Sequence, residues 1–100
     1  HAVYGMAKAA LRMMTRALAR DLAPHVRVNA IAPGAILWPE HGGAAEGQDA
    51  EAQAAVLAQV PMARLGTPAD VAAAVAWLLG PESAYVTGQT LRVDGGRGIG

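Results

Sequence analysis

The sequence contains no cysteine and no phenylalanine, and its aromatic residues are two Trp and two Tyr. Without cysteine, disulfides and thiolate metal sites are excluded for these residues, which fits a reducing, cytoplasmic setting. With aromatics at 4% and hydrophobic residues at 53%, a core must be built from Ala, Val, Leu, Ile and Met. An excess of either charge is also missing, since eight basic residues balance eight acidic ones. A neutral chain without a basic block gives no electrostatic reason to expect nucleic acid or an anionic membrane as partner. No apolar run is long enough to span a bilayer, and no charged segment leads into an apolar leader. The histidines, His1, His25 and His41, stand far apart without HxH or HExxH spacing, so no metal site is expected. No internal repeat or low-complexity segment stands out. At 100 residues the chain suffices for one small domain. It lacks an initiator Met, and its best chemistry lies at the amino terminus, where chains usually fray. The expectation is therefore the carboxyl-terminal part of a larger single domain, residues 1–100.

What is present begins with His1-Ala-Val-Tyr4-Gly-Met-Ala-Lys8. In a helix, Tyr4 and Lys8 stand one turn apart on one face. An ammonium close to a phenol favours the phenolate. A tyrosine acid with a lysine helper suits protonation of an oxygen that gains charge as a carbonyl is reduced. The pair alone is weak evidence, since an isolated Tyr-x-x-x-Lys is more often a core tyrosine beside a solvated lysine.

Strong helix formers run from Ala2 to Ala23 and stop at Pro24. Tyr4, Leu11, Met14, Leu18 and Leu22 form one apolar stripe, and Met6, Ala10, Met13 and Ala17 a second. Arg12, Arg16 and Arg20 line a third face, towards water or acidic partners. A helix apolar on two sides needs two coverings, the sheet and something else such as another subunit. His25 to Ala32 reads as a buried strand of parallel type, stopped by Pro33-Gly34, with Asn29 read as structural rather than catalytic. In open α/β sheets ligands lie beyond the carboxyl ends of strands, which places Pro33 to Trp38 at such an edge. Residues 39–47 read as loop. A modest helix capped by Asp49 is predicted over residues 51–59, and residues 39–66 together read as a lid-like substrate segment. Thr67-Pro-Ala-Asp70 is a strong helix start, and that helix runs to Leu79 before Gly80-Pro81, with Val71, Ala74, Val75 and Leu78 as its buried stripe. Trp77 reads as core or subunit interface. A last strand is predicted within Gln89–Asp94, ended by Gly95-Gly96, and the Gly96–Gly100 run reads as a frayed tail. The total is about three helices and two strands.

Four motifs in this order, Tyr4-x-x-x-Lys8, Arg27-Val-Asn-Ala-Ile-Ala-Pro-Gly34, Arg64-x-Gly66-x-Pro68-x-Asp70 and Thr87-Gly-Gln-x-x-x-Val-Asp-Gly-Gly96, resemble the short-chain dehydrogenase/reductase family end to end. The resemblance implies an α/β fold, the carboxyl-terminal part of a doubly wound, Rossmann-like parallel sheet that binds NAD(P)H. By that likeness Tyr4 is the catalytic acid/base and, with Lys8, also contacts the cofactor; Lys8 lowers the Tyr4 pKa and hydrogen-bonds the nicotinamide ribose. Pro33, Gly34, Ala35 and Ile36 line the nicotinamide pocket. The first helix and the Thr67–Leu79 helix carry the family's usual contacts between subunits, implying a homodimer or homotetramer. Pro33-Gly-Ala-Ile-Leu-Trp-Pro-Glu40 is most similar to bacterial pteridine reductases. That points to NADPH, with NADH possible, and to a small C=N or C=O substrate. The alternatives are a 3-oxoacyl-thioester or other carbonyl reductase of the family, or, in another class, a non-catalytic self-associating fragment. Where many members carry a threonine that helps hold the nicotinamide amide, this chain has Trp38, which borders the substrate pocket or braces the loop. Arg64 reads as an anchor for the lid. The family's glycine-rich phosphate loop, catalytic serine and helix-borne asparagine precede the tyrosine and have no counterpart in these residues. The chain by itself is thus expected to bind dinucleotide poorly and to be inactive.

Overall fold

A computed structural model describes residues 2–37 and 46–99. In chain order they form α1 (Ala2–Leu22), β1 (Ala30–Pro33), α2 (Glu46–Leu57), α3 (Pro68–Leu79), a 3-10 turn (Pro81–Ser83) and β2 (Thr90–Val93). The two strands pair in parallel as neighbours in one sheet, and the α/β composition agrees with the expected three helices and two strands. The chain divides into two compact units, His1–Ile31 with Val75–Leu91, and Ala32–Ala74 with Arg92–Gly100.

In the first unit, α1 buries a narrow strip. Thr15 and Ala19, one turn apart, are 5% and 3% exposed, while both longer apolar stripes face outward. The strip is narrow because the helix lies against backbone: a Cβ added to Gly88 would meet that of Ala19 at 3.4 Å. Gly88 itself has φ of +75°, in the left-handed region that glycine occupies without a Cβ penalty. Thr15 donates its hydroxyl to the Leu11 carbonyl at 2.9 Å, which satisfies it inside the strip.

The same unit is centred on Arg27. Its guanidinium donates to the Ser83 carbonyl and hydroxyl, the Val86 carbonyl, and the Leu78 and Gly80 carbonyls, at 2.9–3.3 Å. Leu78 lies in the last turn of α3 and Gly80 just beyond it, where the helix leaves carbonyls without intrahelical partners and carries partial negative charge. Ser83, 1% exposed, has its one hydroxyl proton within reach of the Trp77, Leu78 and Gly80 carbonyls, at 2.8–3.2 Å.

The expected strand from His25 is shorter and half-buried, beginning only at Ala30. Upstream, side chains interrupt the ladder. Thr87 Oγ1 takes the Val28 N–H, and the Asn29 amide spans from the Val86 carbonyl to the Gln89 N–H, both at 3.0 Å. Asn29 thus has the structural role read for it.

In the second unit α2 begins at Glu46, not after Asp49, so part of the expected loop is helical. A glycine in a first turn, here Gly47, stops a helix weakly because the amides of that turn lack intrahelical partners in any case. The start of α3 is as read, a reciprocal cap in which Asp70 N–H donates to Thr67 Oγ1 at 3.2 Å and Thr67 N–H to Asp70 Oδ2 at 2.8 Å. The expected frayed tail is an ordered turn over residues 96–99, and Gly100 lies outside the described residues. The Asp94 carboxylate accepts the Gly96 and Gly98 N–H groups at 3.0 and 3.1 Å, and Arg92 donates to the Gly98 carbonyl. Gly95 and Gly96, at φ of +62° and +91°, make that turn possible.

Candidate functional site

Tyr4 and Lys8 lie in the first unit, on the first two turns of α1. The stretch is helical because Ala, Met and Lys dominate it and Val3 is its only β-branched residue. The four-residue spacing brings the two side chains together as expected, with Lys8 Nζ over the face of the Tyr4 ring, 5.3 Å from its centroid. That is a cation–π arrangement, which holds the ammonium beside the phenol. Tyr4 is 64% exposed, so its hydroxyl, at once donor and acceptor, is open to a ligand.

Pro33, Gly34, Ala35 and Ile36 lie in the second unit, at and beyond the carboxyl end of β1. Gly34 N–H donates to the Val93 carbonyl at 2.9 Å. A Cβ on Gly34 would come within 2.7 Å of Asp94 Cα, so close backbone approach demands glycine there. Ile36 makes a parallel bridge with Gly66: Gly66 N–H donates to the Ala35 carbonyl and Leu37 N–H to the Gly66 carbonyl, each at 2.9 Å. In such a bridge the N–H and C=O of the central residue point away from the partner strand. Among the described residues neither of these groups of Ile36 has a hydrogen-bond partner, leaving one donor and one acceptor side by side.

Arg64 anchors the cap of α3. It donates to Asp70 Oδ2 at 2.9 Å and Oδ1 at 3.3 Å, and to the Leu65 carbonyl. The Arg64 guanidinium and the Thr67 N–H hold the Asp70 carboxyl well below the usual carboxylate range. Asp70 in turn raises the Arg64 pKa. Both residues border a cavity of about 310 Å3 in this unit, together with Ala35, Met62, Asp94 and Gly95. Trp38 and His41 lie outside the described residues. Among the described residues no cluster of His, Cys, Asp or Glu is arranged to hold a metal, and no helix is long and apolar enough to cross a membrane. The Asp94-centred turn was missed by sequence reading, although Asp followed by two glycines is the composition of such a turn.

Residues 1–97 match the family model described as Enoyl-(Acyl carrier protein) reductase. Over 94 residues the chain is 49% identical to 3beta-hydroxysteroid dehydrogenase 1 of Eggerthella lenta, covering 93% of this chain and 35% of that protein. The crystal structure of 3-oxoacyl-[acyl-carrier protein] reductase from Brucella melitensis superposes with a TM-score of 0.82 at 46% identity, over 93% of this chain and 34% of that one. A protein of Agrobacterium tumefaciens, provisionally assigned as a 2-deoxy-d-gluconate 3-dehydrogenase and solved with bound NADP, superposes with a TM-score of 0.82 at 37% identity, covering 94% of this chain and 38% of that one. The chain spans about a third of the length of the curated relatives it matches.

Proposed function

Because this chain belongs to the short-chain dehydrogenase/reductase family, we propose that the complete protein is an NADPH-dependent oxidoreductase in which Tyr4 is the proton donor and Lys8 its helper. The observation that carries the reading is the Tyr4–Lys8 pair, held one helical turn apart with the ammonium over the ring and the hydroxyl open. A bound nicotinamide would supply the hydride that reduces the substrate carbon. The role of the Tyr4 phenol is to donate its proton to the substrate oxygen or nitrogen that gains charge on reduction. Lys8 keeps positive charge beside the phenolate left behind. In the oxidative direction the same groups act in reverse, with Tyr4 as base.

The residues at the end of β1 fit a nicotinamide. A primary carboxamide carries an N–H donor and a C=O acceptor, which match the C=O and N–H of Ile36 that have no partner among the described residues. Pro33, Gly34 and Ala35 form the rest of that wall, and NADH would engage them equally. In the Agrobacterium tumefaciens relative the bound cofactor is NADP, which supports the phosphorylated form. Residues 39–66, with α2 inside them, serve as a lid over the substrate. Trp38 borders the substrate. The outward apolar faces of α1 and Trp77 on α3 serve self-association into a homodimer or homotetramer.

For the substrate, the likeness of Pro33–Glu40 to bacterial pteridine reductases supports a pterin. The names of the relatives, a hydroxysteroid dehydrogenase and a 3-oxoacyl reductase, support a ketone or its alcohol equally well. Following NADPH oxidation by the complete protein on dihydropterin and on acetoacetyl thioester separates the two. Tyr4→Phe should abolish most turnover on the productive substrate while leaving NADPH binding in place. Full activity in that variant would refute the role of Tyr4.

A further inference from the structure

The second unit contains a contact set that none of the roles above uses. Of the α2 side chains described, from Ala50 onward, only Val56 is even half-buried. The helix is therefore not held by its own faces within the unit. What is held is its foot, the segment Gln59–Met62 that follows it. Val60 is 6% exposed, and it approaches Gly95 so closely that a Cβ there would meet Val60 Cγ1 at 2.8 Å. Pro61 packs on Gly96 in the same way, at 3.1 Å. Met62 N–H donates to the Gly95 carbonyl at 3.0 Å. Arg97 closes the set from outside, with Nε and Nη2 both donating to Gln59 Oε1 at 3.2 and 3.0 Å.

The turn that receives Gln59–Met62 has internal bonds of its own, since Asp94 accepts two backbone amides and Arg92 donates to the Gly98 carbonyl. Its other side meets the end of β1. Gly34 lies against Asp94, and Pro33, Gly34, Asp94 and Arg97 line a common cavity of about 370 Å3. We propose that the Asp94–Gly98 turn is a clamp that sets the position of α2 relative to Pro33–Gly34, with Arg97 as its positioning residue through Gln59. The turn thereby ties the lid to the wall that receives the nicotinamide. The link to substrate binding rests on the lid reading proposed above, whereas the clamp itself does not.

Charge-assisted donation to an amide oxygen is stronger than a neutral bond, and Arg97 makes two such contacts on one atom. Losing them should speed local opening of α2 about fivefold to tenfold. The test is Arg97→Met in the complete protein, with hydrogen exchange of the 46–57 amides as the first readout. Exchange there should rise by that factor, with α1 unchanged. Arg97→Lys, able to donate to the same oxygen, should restore part of the protection. In steady-state kinetics, on acetoacetyl thioester or dihydropterin according to which is turned over, KM should rise about threefold to tenfold with kcat within about twofold. Unchanged exchange in α2 overturns the clamp. Faster exchange with unchanged KM upholds the clamp and overturns the role of α2 as a substrate lid.

Discussion

Replacing Arg27 by methionine keeps the aliphatic stem and removes a guanidinium that reaches five acceptors in the first unit. The cost can be worked from what each acceptor has left. The Leu78 and Gly80 carbonyls are left to share the single Ser83 hydroxyl proton, the Ser83 carbonyl keeps the Val86 N–H, and the Val86 carbonyl keeps the Asn29 amide. One of the two α3-end carbonyls therefore loses its donor while the other acceptors keep theirs, so the penalty for unsatisfied groups applies in part. The five contacts share the four N–H groups of Nη1 and Nη2, and counting one full charge-assisted bond per nitrogen gives a lower bound. At about 1.5 kcal/mol each, the low end for bonds to a charged group, the loss is about 3 kcal/mol. Arg27 also places positive charge on the end of α3, which adds in the same direction. Lysine, a single point charge without the planar fork, should recover no more than about half. The assay is equilibrium urea unfolding of the complete protein at neutral pH, comparing wild type, Arg27→Met and Arg27→Lys. A methionine variant within about 0.5 kcal/mol of wild type would mean that Arg27 behaves as an ordinary surface charge, and the reasoning would be refuted.

Gly34→Ala should destabilise the protein by about 1–3 kcal/mol, because its Cβ would fall 2.7 Å from Asp94 Cα and the two backbones must part. Urea midpoints measure this, and a neutral effect would show that the approach is looser than described. Asp70 has its folded pKa lowered by Arg64 and the Thr67 N–H, so its stabilisation is present above the unfolded value of about 3.9 and is lost as pH falls below it. The stability gap between wild type and Asp70→Asn should therefore be constant from about pH 5 to 8 and shrink on acidification below about pH 4. A gap independent of pH throughout would assign the effect to shape rather than charge.

Elements whose limits are set by local chemistry were legible in the sequence. Both ends of α3 could be read because Thr67, Pro68 and Asp70 act within one turn and Gly80-Pro81 stops the helix at once. The Tyr4–Lys8 pairing was equally open to reading, since helical spacing alone creates it. The shortening of β1 was not legible, because it depends on side chains of Thr87 and Asn29 that take over backbone roles across almost 60 residues of sequence. Nor was the role of Ser83, whose neighbours Pro81 and Glu82 suggest only a loop, while its acceptors belong to the end of α3. The narrowness of the buried strip on α1 escaped for a related reason. Apolar periodicity marks Leu and Met stripes, whereas closeness to Gly88 selects small residues.

The amide of Asn29 has a consequence for chemical ageing. Its nitrogen faces the Val86 carbonyl and its oxygen faces the Gln89 N–H. Hydrolysis of that side chain to a carboxylate would exchange one atom, nitrogen for oxygen, and set a negative oxygen against a carbonyl. The same strand hinders the damage. Deamidation begins when the following backbone nitrogen attacks the side-chain carbon, and the Ala30 N–H is already committed to the Gln89 carbonyl at 2.8 Å. Folded protein should keep this asparagine long after unfolded chain has lost it, so the intact amide at this position serves as a chemical clock of time spent unfolded.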